Sequence, residues 1–481
     1  MHLLRALKDR VIRRQYQRLH KQIRAADPEK LIDAATRKVV PAFQRAARRV
    51  PAYRELLHRH GLDPATIRDL ADFQQEVPVL DKQSVFENHE LHDLCLDGHV
   101  DDVALFFSSS GATRRFSYGV ETYADAGRAA LQLEFFLQEY FNALDCRTLL
   151  VNCLPMGVKL HTRTLPLVES SVRADVIWAL LNKLRRDFDQ VILIGEHPFL
   201  KTVIEEGAEN GVPWQEMRVH VVTGAEYVAE GFRSYVGGYL GLDFEDPAGG
   251  MLLVNFGLSE LSVSICRECP ETIRLRRKAS DDPVLRRVLY GCETPVAPNI
   301  MQYNPGEVFL ETVPGPDAER ANLVVTTLDS CRKLPLIRYN TGDVAELLSY
   351  QDLKSRLAAA GCEELLPTVK LPFIIPWGKC SRTVLSAEQS VGVEQIKEAL
   401  YQAPEVARSL TGNFRLVKEG EGTGRLMLQL RAGREWNAGL AEALKQSLAA
   451  WQVPEVVLDV LPYREFPYGM AHDFERKNQY L

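Results

Sequence analysis

The stretch Phe106–Gly119, "FFSSSGATRRFSYG", sets three serines, a glycine and a threonine directly behind two apolar residues that read as a strand end. A turn of this composition offers backbone N–H groups and hydroxyls to an anion. Arg114 and Arg115 add charge that suits a phosphate. Alone, the same letters also spell a polar hairpin turn, so the flanking chain has to decide.

From about residue 103 to 376, strand-like apolar runs alternate with helical segments. The runs are "VALFF", "RTLLVNCLP", "QVILIG", "RVHVVTG" and "GGMLLVNFG"; "ADVIWALLNKLRRDF" and "FLKTVIEEGAEN" carry helical spacing. Such alternation predicts an α/β domain around a largely parallel sheet, with ligands where loops leave the carboxyl ends of strands. Residues 1–100 read as mainly helical, punctuated by Pro41 and Pro51. The character changes at "LPFIIPWGKCSRTV", where Pro372, Pro376 and Gly378 mark a boundary. Beyond it the order helix, strand, strand, helix, strand predicts a small α+β domain, giving a division into 1–377 and 378–481. The glycine-rich "EGEGTG" at 419–424 reads as a hairpin turn between two of those strands.

At 481 residues, two or more domains are expected, and 46% hydrophobic with 25% charged content is ordinary for a globular protein. A net charge of -6 gives no reason to expect nucleic acid as the main partner. Nine cysteines, odd in number and scattered, point to a reducing, cytoplasmic setting. No apolar run is long enough for a transmembrane segment, and Arg5, Lys8 and Asp9 interrupt any leader. Residues 1–60 hold 16 Lys/Arg against 5 Asp/Glu, a surplus of 11. There Leu3, Leu7, Val11 and Leu19 fall near helical spacing, predicting an amphipathic basic helix. Its alternatives are a helix packed on the body with a solvated face, or one facing an acidic membrane surface or partner.

Four further stretches follow the loop in order: "VVTGAEYVAEGF" (221–232), "VNFGLSEL" (254–261), "LPLIRYNTGDVAEL" (334–347) and "WGKCSRTVL" (377–385). With these, the chain resembles the adenylate-forming superfamily of acyl- and aryl-CoA ligases, most of all its phenylacetate–CoA ligase-like branch. The opening "VPAYRELL" and the later "VPVLDKQSVFEN" are similar to that branch's N-terminal signature, and "IRYNTGD" to its "iRYrTGD".

The resemblance implies a large ATP- and acyl-binding domain with a small mobile C-terminal one. Ser109, Ser110, Gly111 and Thr113 would wrap the β- and γ-phosphates, with Arg114 in place of a family glycine. Gly224, Ala225 and Glu226 would lie near the adenine and the acyl pocket. Phe256 and Gly257 would lie at the adenine, Ser259 would bond the α-phosphate, and Glu260 would hold Mg²⁺. Asp343 would accept both ribose hydroxyls, and Lys379 stands at the hinge. The implied reaction activates a carboxylic acid with ATP to an acyl-adenylate and passes it to coenzyme A. The phosphopantetheine of a carrier protein, or a partner protein, is the alternative acceptor, and a homodimer is left open.

Three departures accompany the match. The loop lacks the family's second glycine and its lysine; the hinge reads Gly378, Lys379, Cys380, Ser381 where "GRxD" is usual; and Gly469 is followed by Met470. The catalytic lysine then falls to Lys477, the last lysine of the chain. These changes leave room for a second reading, a catalytically weak nucleotide-binding subunit. Cys266 and Cys269 form a C-x2-C with Cys292 and Cys331 further on, a weak signal for a structural zinc.

Overall fold

The computed structural model describes residues 2–108, 116–155, 158–224, 226–258, 260–315, 320–378, 382–384, 390–420 and 423–466. All five apolar runs are strands: Val103–Ser108, Thr148–Cys153, Gln190–Gly195, Val219–Gly224 and Gly250–Leu258. The three from Thr148 to Gly224 are buried at every position, which is why they read as mostly apolar runs rather than alternating ones. With Leu167–Glu169 and Gly250–Leu258 they form a five-stranded parallel set.

That set is only part of an eleven-stranded sheet, so the expectation of a largely parallel sheet is corrected. The strands Ser262–Arg267, Met301–Tyr303, Phe373–Gly378, Tyr339–Leu348, Ala321–Thr327 and Val308–Pro314 extend it antiparallel. The physical reason lies in the connections. Leu258 pairs with Ser262 and Pro314 with Ala321, and so few residues close hairpins but not the crossovers that parallel neighbours need. The "VALFF" strand also stands outside the main sheet, in a hairpin with Tyr118–Thr122.

The N-terminal helix His2–Arg24 packs on the helix Tyr123–Phe141. Tyr16 donates its hydroxyl to buried Glu134 at 2.9 Å, and Ile12 enters the same apolar cluster. The inward stripe is therefore Ile12, Tyr16, Leu19 and Ile23, while Val11 is 51% exposed. Of the apolar repeat seen in the sequence, Leu19 therefore packs inward and Val11 faces out.

Beyond residue 390 the order is as read. Helix Val393–Gln402 is followed by a short helix and the antiparallel pair Leu410–Gly420 and Thr423–Leu430; helix Ala438–Ala450 and strand Val456–Leu461 complete it. Gly420 pairs with Thr423, so "EGEGTG" closes a hairpin. One apolar cluster runs from Phe43 and Val191 through Phe232 to Ile396, Leu400, Phe414 and Leu428. Charged contacts reinforce it: buried Lys201 donates to Glu205 at 2.6 Å and to the Leu410 carbonyl at 2.9 Å, and Arg431 lies 3.3 Å from Glu205.

Candidate functional site

At the carboxyl edge of the parallel set, Gly224 pairs with Asn255 on the neighbouring strand. A Cβ on Gly224 would lie 2.2 Å from the Asn255 carbonyl oxygen, so only glycine lets the two backbones approach this closely. Phe256 and Gly257 follow, half-buried, across a register shift opposite Cys266. The chain then turns back, and this turn carries Glu260.

Glu260 is 8% exposed and accepts a 2.9 Å hydrogen bond from the Tyr339 hydroxyl. Tyr339 opens the strand that also holds Asp343. Burial, followed by the negative charge of Glu260, raises the Tyr339 pKa far above the usual phenol range, which keeps the hydroxyl protonated as a donor. Asp343 itself sits in a bulge. Asn322 pairs with Val344 and Val324 with Asn340, so Thr341, Gly342 and Asp343 all stand opposite Leu323. Gly342 takes φ +75° there. Asn340 and Thr341 accept backbone N–H groups of this turn, from Gly342 at 2.9 Å and Asp343 at 3.1 Å.

The N-terminal signature residues act as struts for this strand. The Tyr53 hydroxyl donates to the Pro335 carbonyl at 3.2 Å and accepts from the Ile337 amide at 3.0 Å. Leu80 bonds through its backbone to Arg338 and Asn340, at 2.9 and 2.7 Å. Arg338, held at φ +44°, donates to Glu311 at 2.9 Å and to the Gln74 carbonyl at 2.7 Å. Its guanidinium is therefore a buried tie across elements.

Phe86 bridges the remaining gap, lying edge-on to Tyr339 at 6.0 Å and to Tyr118 at 6.2 Å. Tyr118 pairs with Ser108, so Phe86 links the hairpin that flanks residues 109–115 to Tyr339. Ser109, Ser110, Gly111, Thr113, Arg114, Ala225, Ser259, Lys379 and Lys477 lie outside the described residues.

Glu226 takes a different set of neighbours. Its carboxylate lies 2.9 Å from Lys397 Nζ on helix Val393–Gln402 and 3.5 Å from His197 Nε2. Burial lowers the His197 pKa to about 4, and its Nδ1 has no hydrogen-bond partner among the described residues. The adjacent Glu398, 2% exposed, accepts from the Tyr227 hydroxyl at 2.7 Å and from the amides of Glu230 and Gly231 at 2.8 and 2.9 Å. Two consecutive residues of the C-terminal region thus grip the segment that follows Gly224.

Among the described residues no group of three or more His, Cys, Asp and Glu side chains is arranged around a metal. A single carboxylate such as Glu260 fits Mg²⁺, which keeps waters and takes phosphate oxygens for most of its shell. Cys266 and Cys269 are buried, burial raises both thiol pKa values, and Cys269 Sγ faces Thr272 at 3.6 Å. A hollow of about 270 Å³ lined by Ile12, Thr148 and Phe188 lies at the amino ends of the parallel strands. That is the wrong edge for a ligand of an open α/β sheet.

No protein-family model matches the sequence, and a search of curated proteins finds no match. Solved structures do match. A 2-hydroxyisobutyryl-CoA ligase in the postadenylation state, in complex with 2-HIB-AMP, superposes with a TM-score of 0.68 at 13% identity, covering 95% of this chain and 91% of its own. The same ligase in the thioesterification state, with 2-HIB-AMP and CoA, gives 0.53 at 14% identity, covering 91% and 87%. An anthranilate CoA ligase with anthranoyl-AMP gives 0.50 at 11% identity, covering 79% and 66%. At these identities the likeness establishes the fold, that of the adenylate-forming ligases.

Proposed function

We propose that this chain activates a carboxylic acid with ATP and transfers the acyl group to a thiol, with coenzyme A as acceptor. A substrate carboxylate oxygen attacks the α-phosphorus of ATP, and the bond to the departing pyrophosphate breaks. The thiolate then attacks the acyl carbonyl, and AMP leaves. The observation that carries this reading is the Glu260–Tyr339 contact, which joins two of the stretches quoted above at the carboxyl edge of the sheet.

In this reading the loop at 109–115, with Arg114, steadies the departing pyrophosphate, since charge grows there as the bond breaks. Phe256 stacks on the adenine, Asp343 accepts the ribose hydroxyls and Ser259 donates to the α-phosphate. Bound Mg²⁺, held through Glu260, would offset charge on the phosphates. Lys477 donates to the α-phosphoryl oxygens. The C-terminal part, 378–481, turns about Lys379 between the two half-reactions, and the higher TM-score to the postadenylation arrangement supports placing this structure after adenylation. The phenylacetate–CoA ligase-like branch remains the nearest in sequence signature, and aromatic or medium-chain acids are its expected substrates.

The test is ATP–pyrophosphate exchange over a panel of carboxylic acids, followed by mass spectrometry with coenzyme A. Exchange with at least one acid and a coenzyme A thioester are expected. Exchange without thioester transfers the acceptor role to a carrier or partner protein. No exchange with any acid, while ATP still raises the melting temperature, supports the weak nucleotide-binding subunit instead.

A further inference from the structure

The N-terminal helix presents a surface that the proposed reaction does not use. Between Asp9 and Asp27 there is no acidic residue, while Arg10, Arg13, Arg14, Arg18, Lys21 and Arg24 fall in that interval. Arg13 pairs with Asp145 at 3.3 Å and Arg24 with Glu139 at 3.1 Å. Arg10, Arg14, Arg18 and Lys21 are exposed and have no acidic partner among the described residues. Spaced by four, four and three, they form one ridge along a helix of 23 residues, about 35 Å long. The ridge is rigid, because the opposite stripe is fixed to the body through Ile12 and the Tyr16–Glu134 bond.

Two features give the ridge a direction. Val11 is 51% exposed beside Arg10 and Arg14. An apolar side chain thus stands exposed within the cationic ridge. Charge is also segregated: residues 1–60 carry a surplus of 11 positive charges, while the remaining chain holds 42 Lys/Arg against 59 Asp/Glu. Long-range attraction to an anionic plane would orient such a molecule with this helix foremost. No described helix is long and apolar enough to cross a membrane, so the contact would be one of surface adsorption.

We propose that helix His2–Arg24 docks the protein on an anionic lipid surface, with Arg10, Arg14, Arg18 and Lys21 facing the headgroups and Val11 entering the interface. A nucleic acid or an acidic protein would satisfy the cations but gives Val11 no apolar medium to enter.

The full chain is floated with vesicles of phosphatidylcholine alone and of equal parts phosphatidylcholine and phosphatidylglycerol. Binding is expected only to the anionic vesicles, falling steeply as salt rises. Replacing all four cations with Gln should weaken binding about 100-fold or more, and Val11→Asp should weaken it several-fold, with the melting temperature unchanged in both. Flotation needs no enzymatic activity, so it stands whether or not the ligase reading does. No binding to anionic vesicles, undiminished binding by the four-fold variant, or retention on heparin with none on vesicles would overturn the proposal.

Discussion

Replacing Glu398 by alanine tests how firmly the C-terminal region is held to the sheet domain. The carboxylate is 2% exposed and receives three donors: the Tyr227 hydroxyl at 2.7 Å and the Glu230 and Gly231 amides at 2.8 and 2.9 Å. The two amides open helix Glu230–Leu240, so Glu398 acts as a cap supplied from a distant part of the chain. Arg276 Nη2 lies 3.9 Å away. Truncation strands these donors in a dry interior and removes a counter-charge of Arg276, which keeps Glu230 and Glu268 as neighbours. The expected loss is about 3–5 kcal/mol, in the range for breaking one side of a buried charged cluster. Glu398→Gln is gentler. Its oxygen still serves Tyr227 and Glu230, but its amide group faces the Gly231 N–H, for a cost of about 1–2 kcal/mol. Guanidinium unfolding monitored by tryptophan fluorescence reads both. A loss below about 1 kcal/mol for the alanine variant would refute the clamp as drawn here, since even one stranded donor costs that much.

Tyr339→Phe should raise the Mg²⁺ concentration needed for half-maximal pyrophosphate exchange several-fold while leaving the fold intact, because it removes the donor that orients Glu260; an unchanged Mg²⁺ titration counts against that role. Asp343→Ala should weaken ATP binding by about 1.5–3 kcal/mol, as charge-assisted bonds to two hydroxyls are lost, and calorimetry with no change in affinity would dismiss the ribose assignment. Stability should also fall in mild acid. Burial lowers the pKa of His197 to about 4 and of His220 to about 3, from the ordinary 6.5. The unfolded chain therefore takes up these protons first, so their contribution is complete above about pH 6.5 and erodes as the pH drops toward about 4. Melting temperatures that stay flat from pH 7 to pH 5 would contradict this.

The parallel half of the sheet was legible because unbroken Val/Ile/Leu runs such as Val191–Ile194 are what two-sided burial demands. The antiparallel half was not, since alternation of strand and helix was extended past Leu258, where short connections had already ended it. At the site, Glu260 and Asp343 were visible as motif letters. Tyr339 stood in the same motif and was passed over, because its role appears only through Glu260, 79 residues away. Tyr53 and Phe86 stood in the quoted N-terminal signature without a role, and Lys397 and Glu398 were invisible, for the same reason. They act through contacts that span much of the chain, and no local periodicity encodes such contacts. Of the apolar positions read on the first helix, Leu19 packs inward but Val11 does not, since Val11 and Ile12 are equally apolar and only packing into the cluster with Phe135 chooses between them.

The hairpin that carries Glu260 has a consequence for how the proposed ligase could diversify. Leu258 and Ser262 face one another, so only three residues separate two strands locked into the sheet. Adding or deleting one residue there would swing the acid away from Tyr339 or slip the register of Ser262–Arg267. The connection from Cys153 to Leu167 is longer and tolerates changes of length better. If the proposed reaction holds, new acyl specificities would arise by reshaping that connection, while the turn holding the acid stays fixed in length.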